Sequence, residues 1–303
     1  MSVPVWIEAD ETWRRGIEAA VREGGAIQAP LEEARALVWA ADRPHDLLAH
    51  LHDGVEWVQL WSAGIEDWFT AGVIDDRRRW TAAKGVYAEP IAEHVLAMLL
   101  AAVRRLPEVI RDGTWQPLDV RTLRGSTVGV VGAGGIGSAV IELVRPLGVR
   151  TIAVTRSGRP VEGADLSLGA ADLAEAVRES DFLVLAAPET DETRALLDAR
   201  LLGQLRPHAW IVNVGRGSIV DTDALVEALR AGRLGGAALD VTDPEPLPPD
   251  HPLWALPNVI VTSHTACTPR LGGEAFAARV RENVRRFGAG EPLLGLVDPR
   301  LGY

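Results

Sequence analysis

The amino-acid sequence predicts an α/β protein built from two doubly wound parallel-sheet domains. Three observations predict it. Short runs rich in Val, Ile and Leu alternate with helical periods along almost the whole chain. A glycine-rich turn, Gly132-Ala133-Gly134-Gly135-Ile136-Gly137, sits between one such run and one such helix. The length, 303 residues, suits about two domains, each large enough to bury a core.

In the N-terminal part, Val3 through Ile7, Ala36-Leu37-Val38-Trp39 and Trp57-Val58-Gln59-Leu60 are nearly continuous apolar runs, the pattern of parallel strands buried on both faces. Helical patterns over Glu11–Arg22 and Pro44–Leu51 separate them. This is a small flavodoxin-like unit. A long helix is expected from about Glu89 to Ile110, because Ile91, Val95, Met98, Leu99 and Ala102 recur at helical spacing, with Gly113 as its stop. A polar connector follows to Gly125. A second series then places strands at Thr127–Val131, Arg150–Val154, Phe182–Ala186, Trp210–Val214, Ala237–Leu239 and Val259–Thr262. Helices are expected at Ile136–Leu147, Leu173–Glu179, Arg194–Leu202, Thr222–Ala231 and Gly272–Phe287. That is a Rossmann-type domain. The last helix and tail are not needed to complete its sheet and are free to return to the first unit. The expected division is therefore 1–95 with 273–303 as a discontinuous substrate domain, and 96–272 as a dinucleotide-binding domain inserted in it.

Composition narrows the function. The net charge of -11 opposes a nucleic-acid footprint, which needs a basic face. It also repels anions at long range, so an anionic ligand needs a local cation. The single cysteine, Cys267, allows no intramolecular disulfide, fits a reducing compartment and reads as a packed small side chain. Residues 1–10 lack the basic-then-apolar pattern of a signal peptide. The longest apolar stretch, Val95 to Val103, falls far short of the roughly 20 residues that span a bilayer. No membrane association and a cytoplasmic location are expected. The seven histidines are scattered without metal-ligand spacing, so no metal is expected.

The glycine turn carries the first chemical signal. Gly132, Gly134 and Gly137, with Gly135 and Ile136 between them, stand where a strand enters a helix. Glycines there permit a tight turn, close approach of backbone to a pyrophosphate, and close helix–strand contact. The next strand ends in Thr155-Arg156-Ser157, without the Asp or Glu that accepts hydrogen bonds from an NAD ribose. Arginine and hydroxyl groups suit a 2′-phosphate, so NADP(H) is expected over NAD(H).

Three charged residues follow, each at or just past a predicted strand end: Arg216 in Asn213-Val214-Gly215-Arg216-Gly217, Glu245 in Asp243-Pro244-Glu245-Pro246, and His264 in Thr262-Ser263-His264-Thr265-Ala266. Singly, they suit a salt bridge, a turn and a packed core site. Together they supply what reduction of a 2-keto acid requires. An arginine fork can hold a carboxylate and polarise a ketone. Histidine, with a reference pKa of about 6.5, can donate a proton near neutrality. A carboxylate hydrogen-bonded to the imidazole would stabilise its charged form.

These segments resemble the D-isomer-specific 2-hydroxyacid dehydrogenase family. Val212 to Gly217, Leu239-Asp240-Val241 with Pro244 to Leu247, His251-Pro252-Leu253-Trp254, His264-Thr265-Ala266 and Ala92-Glu93-His94 are similar to its signatures, and the resemblance covers nearly the whole chain. It implies catalytic roles for Arg216, Glu245 and His264. It implies cofactor contacts at Ala187 and Pro188 on the adenosine side, at Val214 and His264, and at Asp240 for the nicotinamide carboxamide. Ser62-Ala63-Gly64-Ile65 resembles the loop whose backbone N–H groups bind the substrate carboxylate, which makes Ala63 and Gly64 substrate-binding candidates. Trp61, just before it, is a departure that would narrow the pocket. The arginine–serine pair resembles NADPH-linked glyoxylate/hydroxypyruvate reductases, and the family implies a homodimer contacting through Glu89 to Thr122. His94, on the linking helix, reads as a structural hydrogen-bonding residue. The alternatives are a dinucleotide-sensing, corepressor-like binding protein, or another oxidoreductase such as a phosphite-oxidising one.

Overall fold

The computed structural model describes residues 2–41, 43–113, 115 and 117–299. It forms two compact units, Met1–Tyr87 with Cys267–Tyr303, and Ala88–Ala266. In chain order the first unit contains β1 (Pro4–Ala9), α1 (Glu11–Glu23), β2 (Ile27–Gln28), β3 (Ala36–Ala40), α2 (Pro44–Leu48), β4 (Trp57–Leu60), α3 (Glu66–Thr70) and β5 (Arg79–Thr81). The second contains α4 (Ala88–Val103), α5 (Leu106–Asp112), β6 (Thr127–Val131), α6 (Gly135–Val144), β7 (Arg150–Thr155), β8 (Leu166–Gly169), α7 (Leu173–Glu179), β9 (Phe182–Leu185), α8 (Ala199–Leu202), β10 (Trp210–Asn213), α9 (Thr222–Arg230), β11 (Gly236–Leu239) and β12 (Val259–Val261). Helix α10 (Pro269–Ala289) belongs to the first unit.

The first sheet is parallel in the order β2-β1-β3-β4-β5, the flavodoxin-like winding. Helix α1 starts where the Asp10 side chain accepts the Trp13 N–H at 3.2 Å, and it buries Trp13, Ile17, Ala20 and Val21 at helical spacing. Strands β2 and β5 are absent from the sequence reading. One has two exposed residues and the other opens on Arg79, so neither shows an apolar run. A buried polar cluster ties α10 to this sheet. Asn283 donates to Gln59 Oε1 at 2.7 Å and to the Leu294 carbonyl at 2.9 Å, and it accepts the Leu294 N–H at 2.8 Å. Gln59 and Thr81 continue the cluster to the Trp57 indole. Buried amides must be paired, and two of these three Asn283 bonds are made to Leu294 of the tail.

The sequence reading expects Trp61 to narrow the pocket, and Trp68 and Trp80 after it stand in no apolar run. Trp68 and Trp80 are core residues, 3% and 1% exposed. The Trp61 ring instead meets Trp13 of α1 edge-on at 5.7 Å, where Trp13 also packs Phe276 of α10. Its bulk goes into the helical layer.

The second sheet is parallel in the order β12-β11-β10-β9-β6-β7-β8. The chain winds outward from β6 through β7 to β8, then returns to β9 on β6's other side. The switch point is therefore at the carboxyl ends of β6 and β9. Strand β8, unforeseen from sequence, is an edge strand whose four residues are all only half-buried. The helix expected over Glu89–Ile110 is two helices. Pro107 lacks an N–H and would clash with the Val103 carbonyl, which accepts the Arg121 N–H at 2.9 Å instead, and Arg105 takes φ 52 at the break. Helix α4 is one piece within the second unit, although the expected boundary at residue 95 would cut it. Its buried residues Ala92, Val95, Met98 and Leu99 join the core under this sheet. The helix expected from Arg194 starts only at Ala199. Ala195 takes φ 47, Leu197 pairs with Val220, and the Asp198 side chain caps the Leu201 N–H at 2.8 Å.

At the amino-terminal edge of this sheet, burial works against ionisation of Asp181. The Thr127 N–H at 2.7 Å, His208 and Arg206 outweigh it and hold its carboxyl below the usual carboxylate range. Because the folded value is depressed, this stabilisation is complete above the unfolded value of about 3.9 and is lost as pH falls through the folded one. Urea midpoints measured from pH 6 downward should fall less steeply for Asp181→Asn than for wild type below about pH 4. Parallel curves would refute this assignment.

Candidate active site

The glycine turn lies at the switch point. Gly132 has φ 92, and a Cβ on it would lie 2.4 Å from the Ala187 nitrogen, so the turns after β6 and β9 meet backbone to backbone. Gly137 would place a Cβ 2.5 Å from the Gly132 carbonyl oxygen, which sets α6 hard against the turn. Gly134 differs. A Cβ there meets no protein atom within 4 Å, although the residue caps α6. That open space above a helix N-terminus, with Gly135 and Ile136 in its first turn, suits a pyrophosphate. At the neighbouring strand end, the Thr155 hydroxyl is buried without a protein partner, while Arg156 and Ser157 are exposed. Arg159, which the sequence reading passed over, donates to the Ala133 carbonyl at 3.1 Å and so stands beside the turn. These residues fit a dinucleotide. Pro188 is exposed after β9, and Ala187 and Val214 are buried just past the ends of β9 and β10.

The expected catalytic residues, and Asp240 as an expected cofactor contact, stand on successive strand ends. Arg216 follows β10, Asp240 and Glu245 follow β11, and His264 follows β12. The Arg216 turn is shaped by buried Asn213, whose Oδ1 accepts the Gly215 N–H at 3.1 Å and whose Nδ2 donates to the Arg216 carbonyl at 2.9 Å. Gly217 then allows contact with the next loop, since a Cβ there would lie 2.0 Å from the Thr242 carbonyl carbon. The guanidinium of half-buried Arg216 donates to the Gly215 carbonyl at 2.8 Å.

His264 Nδ1 is 2.7 Å from Glu245 Oε1. Glu245 is steadied by the Thr242 N–H at 3.5 Å from its other oxygen. His264 takes φ 53, a conformation uncommon outside glycine. Its turn is held by Asp240, which is 2% exposed. The Asp240 carboxylate accepts the Thr262 hydroxyl at 2.5 Å, the Thr265 N–H at 2.9 Å and the Ala266 N–H at 3.0 Å, and its carbonyl accepts the His264 N–H at 2.8 Å. Sequence reasoning missed Thr262 and Asn213; the available signal was a polar residue at the end of an apolar strand. Asp240, Glu245, Leu247, Trp254, Thr262 and His264 line a cleft of about 190 Å³. Ala63 and Gly64 lie in the first unit, half-buried just past β4, where Ser62 accepts the Ala83 N–H at 2.9 Å and the Trp68 indole N–H at 3.0 Å. Burial pushes the Cys267 thiol up, as suits a packed side chain. Among the described residues no group of three or more His, Cys, Asp or Glu could hold a metal ion.

A doubly wound domain with this turn at its switch point is the architecture of a nicotinamide-dependent dehydrogenase. Residues 96–266, more than half of the chain, match the family model "D-isomer specific 2-hydroxyacid dehydrogenase, NAD binding domain". The chain is 40% identical over 232 residues to a glyoxylate reductase of Aeropyrum pernix, covering 72% of this chain and 69% of that one. A D-isomer-specific 2-hydroxyacid dehydrogenase from Xanthobacter autotrophicus Py2, solved in complex with NADPH and MES, superposes with a TM-score of 0.86 at 31% identity over 100% of both chains. The NADPH-dependent glyoxylate/hydroxypyruvate reductase of Sinorhizobium meliloti, solved with NADP and sulfate, gives 0.84 at 27% identity, also over 100% of both. The chain belongs to the D-isomer-specific 2-hydroxyacid dehydrogenase family, among NAD(P)-dependent enzymes close to the glyoxylate/hydroxypyruvate reductases.

The two kinds of glycine give a test. Gly217→Ala should cost about 1–3 kcal/mol in urea unfolding, because backbone must shift. Gly134→Ala should leave the unfolding midpoint nearly unchanged and weaken dinucleotide binding at least about tenfold, as judged by fluorescence titration. Unaltered dinucleotide affinity in Gly134→Ala would remove the turn from the cofactor site.

Proposed function

We propose that this protein reduces small 2-keto acids of the glyoxylate and hydroxypyruvate type to D-2-hydroxy acids, with NADPH as the hydride source and His264 as the proton donor. The observation that carries this reading is the 2.7 Å hydrogen bond between His264 and Glu245, two strand ends from Arg216. With Nδ1 engaged by the carboxylate, Nε2 is the nitrogen that gives its proton to the developing alkoxide. Glu245 stabilises the imidazolium from which that proton leaves. Arg216 holds the carboxylate and polarises the ketone oxygen, and it is the local cation that an anionic substrate needs on a chain of net charge -11. Ala63 and Gly64 are proposed as further carboxylate contacts through backbone N–H groups.

The dinucleotide, when bound, supplies the hydride. Gly132, Gly134, Gly135, Ile136 and Gly137 would receive its pyrophosphate, and Ala187, Pro188, Val214 and His264 would line its length. Asp240 accepts three hydrogen bonds already, which leaves about one of its four acceptor sites for a carboxamide. NADPH is favoured because residues 155–159 contain no carboxylate, the Thr155 hydroxyl lacks a protein partner, and Arg156 and Arg159 stand at this edge. The relatives solved with NADPH or NADP support the same preference.

We further propose a homodimer. Leu100, Leu106, Val109, Ile110, Leu118 and Val120 are exposed apolar residues of the segment Glu89 to Thr122, and Ile110 is 76% exposed. Thr114 and Gln116 of that segment lie outside the described residues. Among the described residues no helix is long and apolar enough to cross a membrane.

Oxidation of NADPH should accompany reduction of glyoxylate and hydroxypyruvate, with kcat/KM at least about tenfold above that with NADH. Arg156→Glu should erase that preference, and His264→Gln should lower kcat by about 10²–10⁴. A higher kcat/KM with NADH would overturn the cofactor assignment. Dinucleotide binding without turnover of any keto acid would favour a sensing protein. Light scattering at micromolar protein should return the mass of two chains, and a one-chain mass would refute the dimer.

A further inference from the structure

We infer that His94 is a positioning residue for the proton donor, acting through Thr262 and Asp240 to hold the turn that aims His264. This inference rests on the reductase reading above. His94 is 3.2 Å from the Thr262 hydroxyl oxygen through Nε2, across 168 residues of sequence, and 3.6 Å from Asp240 Oδ1.

The direction of each hydrogen bond follows from proton counting. A threonine hydroxyl has one proton, and at 2.5 Å from Asp240 Oδ1 it is committed to that carboxylate. The Thr262 oxygen can therefore only accept from His94, and His94 Nε2 must carry a proton. The chain of donors runs one way, from His94 to Thr262 to Asp240. The backbone N–H groups of Thr265 and Ala266 reach the same carboxylate from the other side of His264.

His264 is thus bracketed. Thr262 precedes it and Thr265 and Ala266 follow it, all bound to one buried carboxylate, while its own N–H goes to the Asp240 carbonyl. A non-glycine residue at φ 53 keeps that conformation only where its surroundings over-determine it. The bracket supplies that determination, and His94 fixes the amino-terminal arm. Helix α4 carries His94 there because its neighbours Ala92 and Val95 are buried in the core beneath the second sheet. Leu or Phe would fill such a position as well if packing were the only requirement. Neither could donate to Thr262.

The test uses the full chain with His94→Leu, His94→Gln, Thr262→Val and the double variant His94→Leu/Thr262→Val. Glutamine can place an amide N–H where the imidazole N–H was. Steady-state kinetics, urea midpoints and the downfield proton resonance of the His264 imidazole are measured, the last identified by its loss in His264→Gln. His94→Leu and Thr262→Val should each lower kcat about tenfold to hundredfold, as misplacement of a donor by a fraction of an ångström to an ångström does. KM for the dinucleotide should change less than kcat, since the loss lies chiefly in the aim of the proton donor. The double variant should be no worse than the worse single one, because both act on one chain of bonds. His94→Gln should keep most of the activity, and the His264 resonance should move in His94→Leu and Thr262→Val only. Wild-type kcat in His94→Leu, multiplicative losses in the double variant, or equal impairment of His94→Gln and His94→Leu would each overturn the inference. If the wild type reduces no 2-keto acid, the reductase reading fails by itself and the resonance decides the positioning role. A resonance unmoved by His94→Leu then overturns it, and a moved one supports it.

Discussion

The site depends on loops that meet backbone to backbone at the carboxyl edge of the second sheet. Side chains would hold these loops apart. With a Cβ on Gly132, the turns after β6 and β9 would clash at 2.4 Å, and with one on Gly217, those after β10 and β11 would clash at 2.0 Å. Because neither is present, four successive crossovers end against one another, and residues far apart in sequence share one edge. The parallel winding makes this possible, since it directs every strand of the sheet to the same end.

Within that edge, electrostatics are organised by acids rather than bases. Asp240 is nearly fully buried and would be costly as an isolated charge. It is compensated by two backbone N–H groups and a hydroxyl, which convert a burial penalty into a rigid turn. Glu245 does a different job on the same loop. It is exposed enough to be wet, and it faces the His264 imidazole. Two carboxylates in one cleft are thereby separated by burial: one shapes the backbone, the other pairs with a side chain. Arg216 brings the opposite charge from the neighbouring strand.

The polar cluster of Gln59, Thr81 and Asn283 plays a comparable part in the first unit. It makes the C-terminal helix and tail integral to a sheet formed by the first eighty residues. A chain that leaves a domain and returns to it needs such an anchor, because apolar contact alone would not specify which face the returning helix takes.

Periodicity and apolar runs were enough to read the buried strands and most helices, since burial on both faces writes itself into composition. The glycine turn and the ordered Arg216, Glu245 and His264 were equally legible, because that chemistry admits few residue types. Strands β2, β5 and β8 were not legible, because edge strands are held by backbone hydrogen bonds that any side chain permits. Nor was the break between α4 and α5, where a Leu-Pro pair overrode a good apolar period, nor the direction of Trp61, which depends on Trp13 and Phe276. His94 shows the limit most clearly. Sequence alone determined that a histidine sits on a core helix. Only tertiary structure decided that its ring nitrogen meets the Thr262 hydroxyl beside Asp240, because that meeting is made by folding α4 under a sheet whose last strands, β11 and β12, are spelled out more than a hundred residues later.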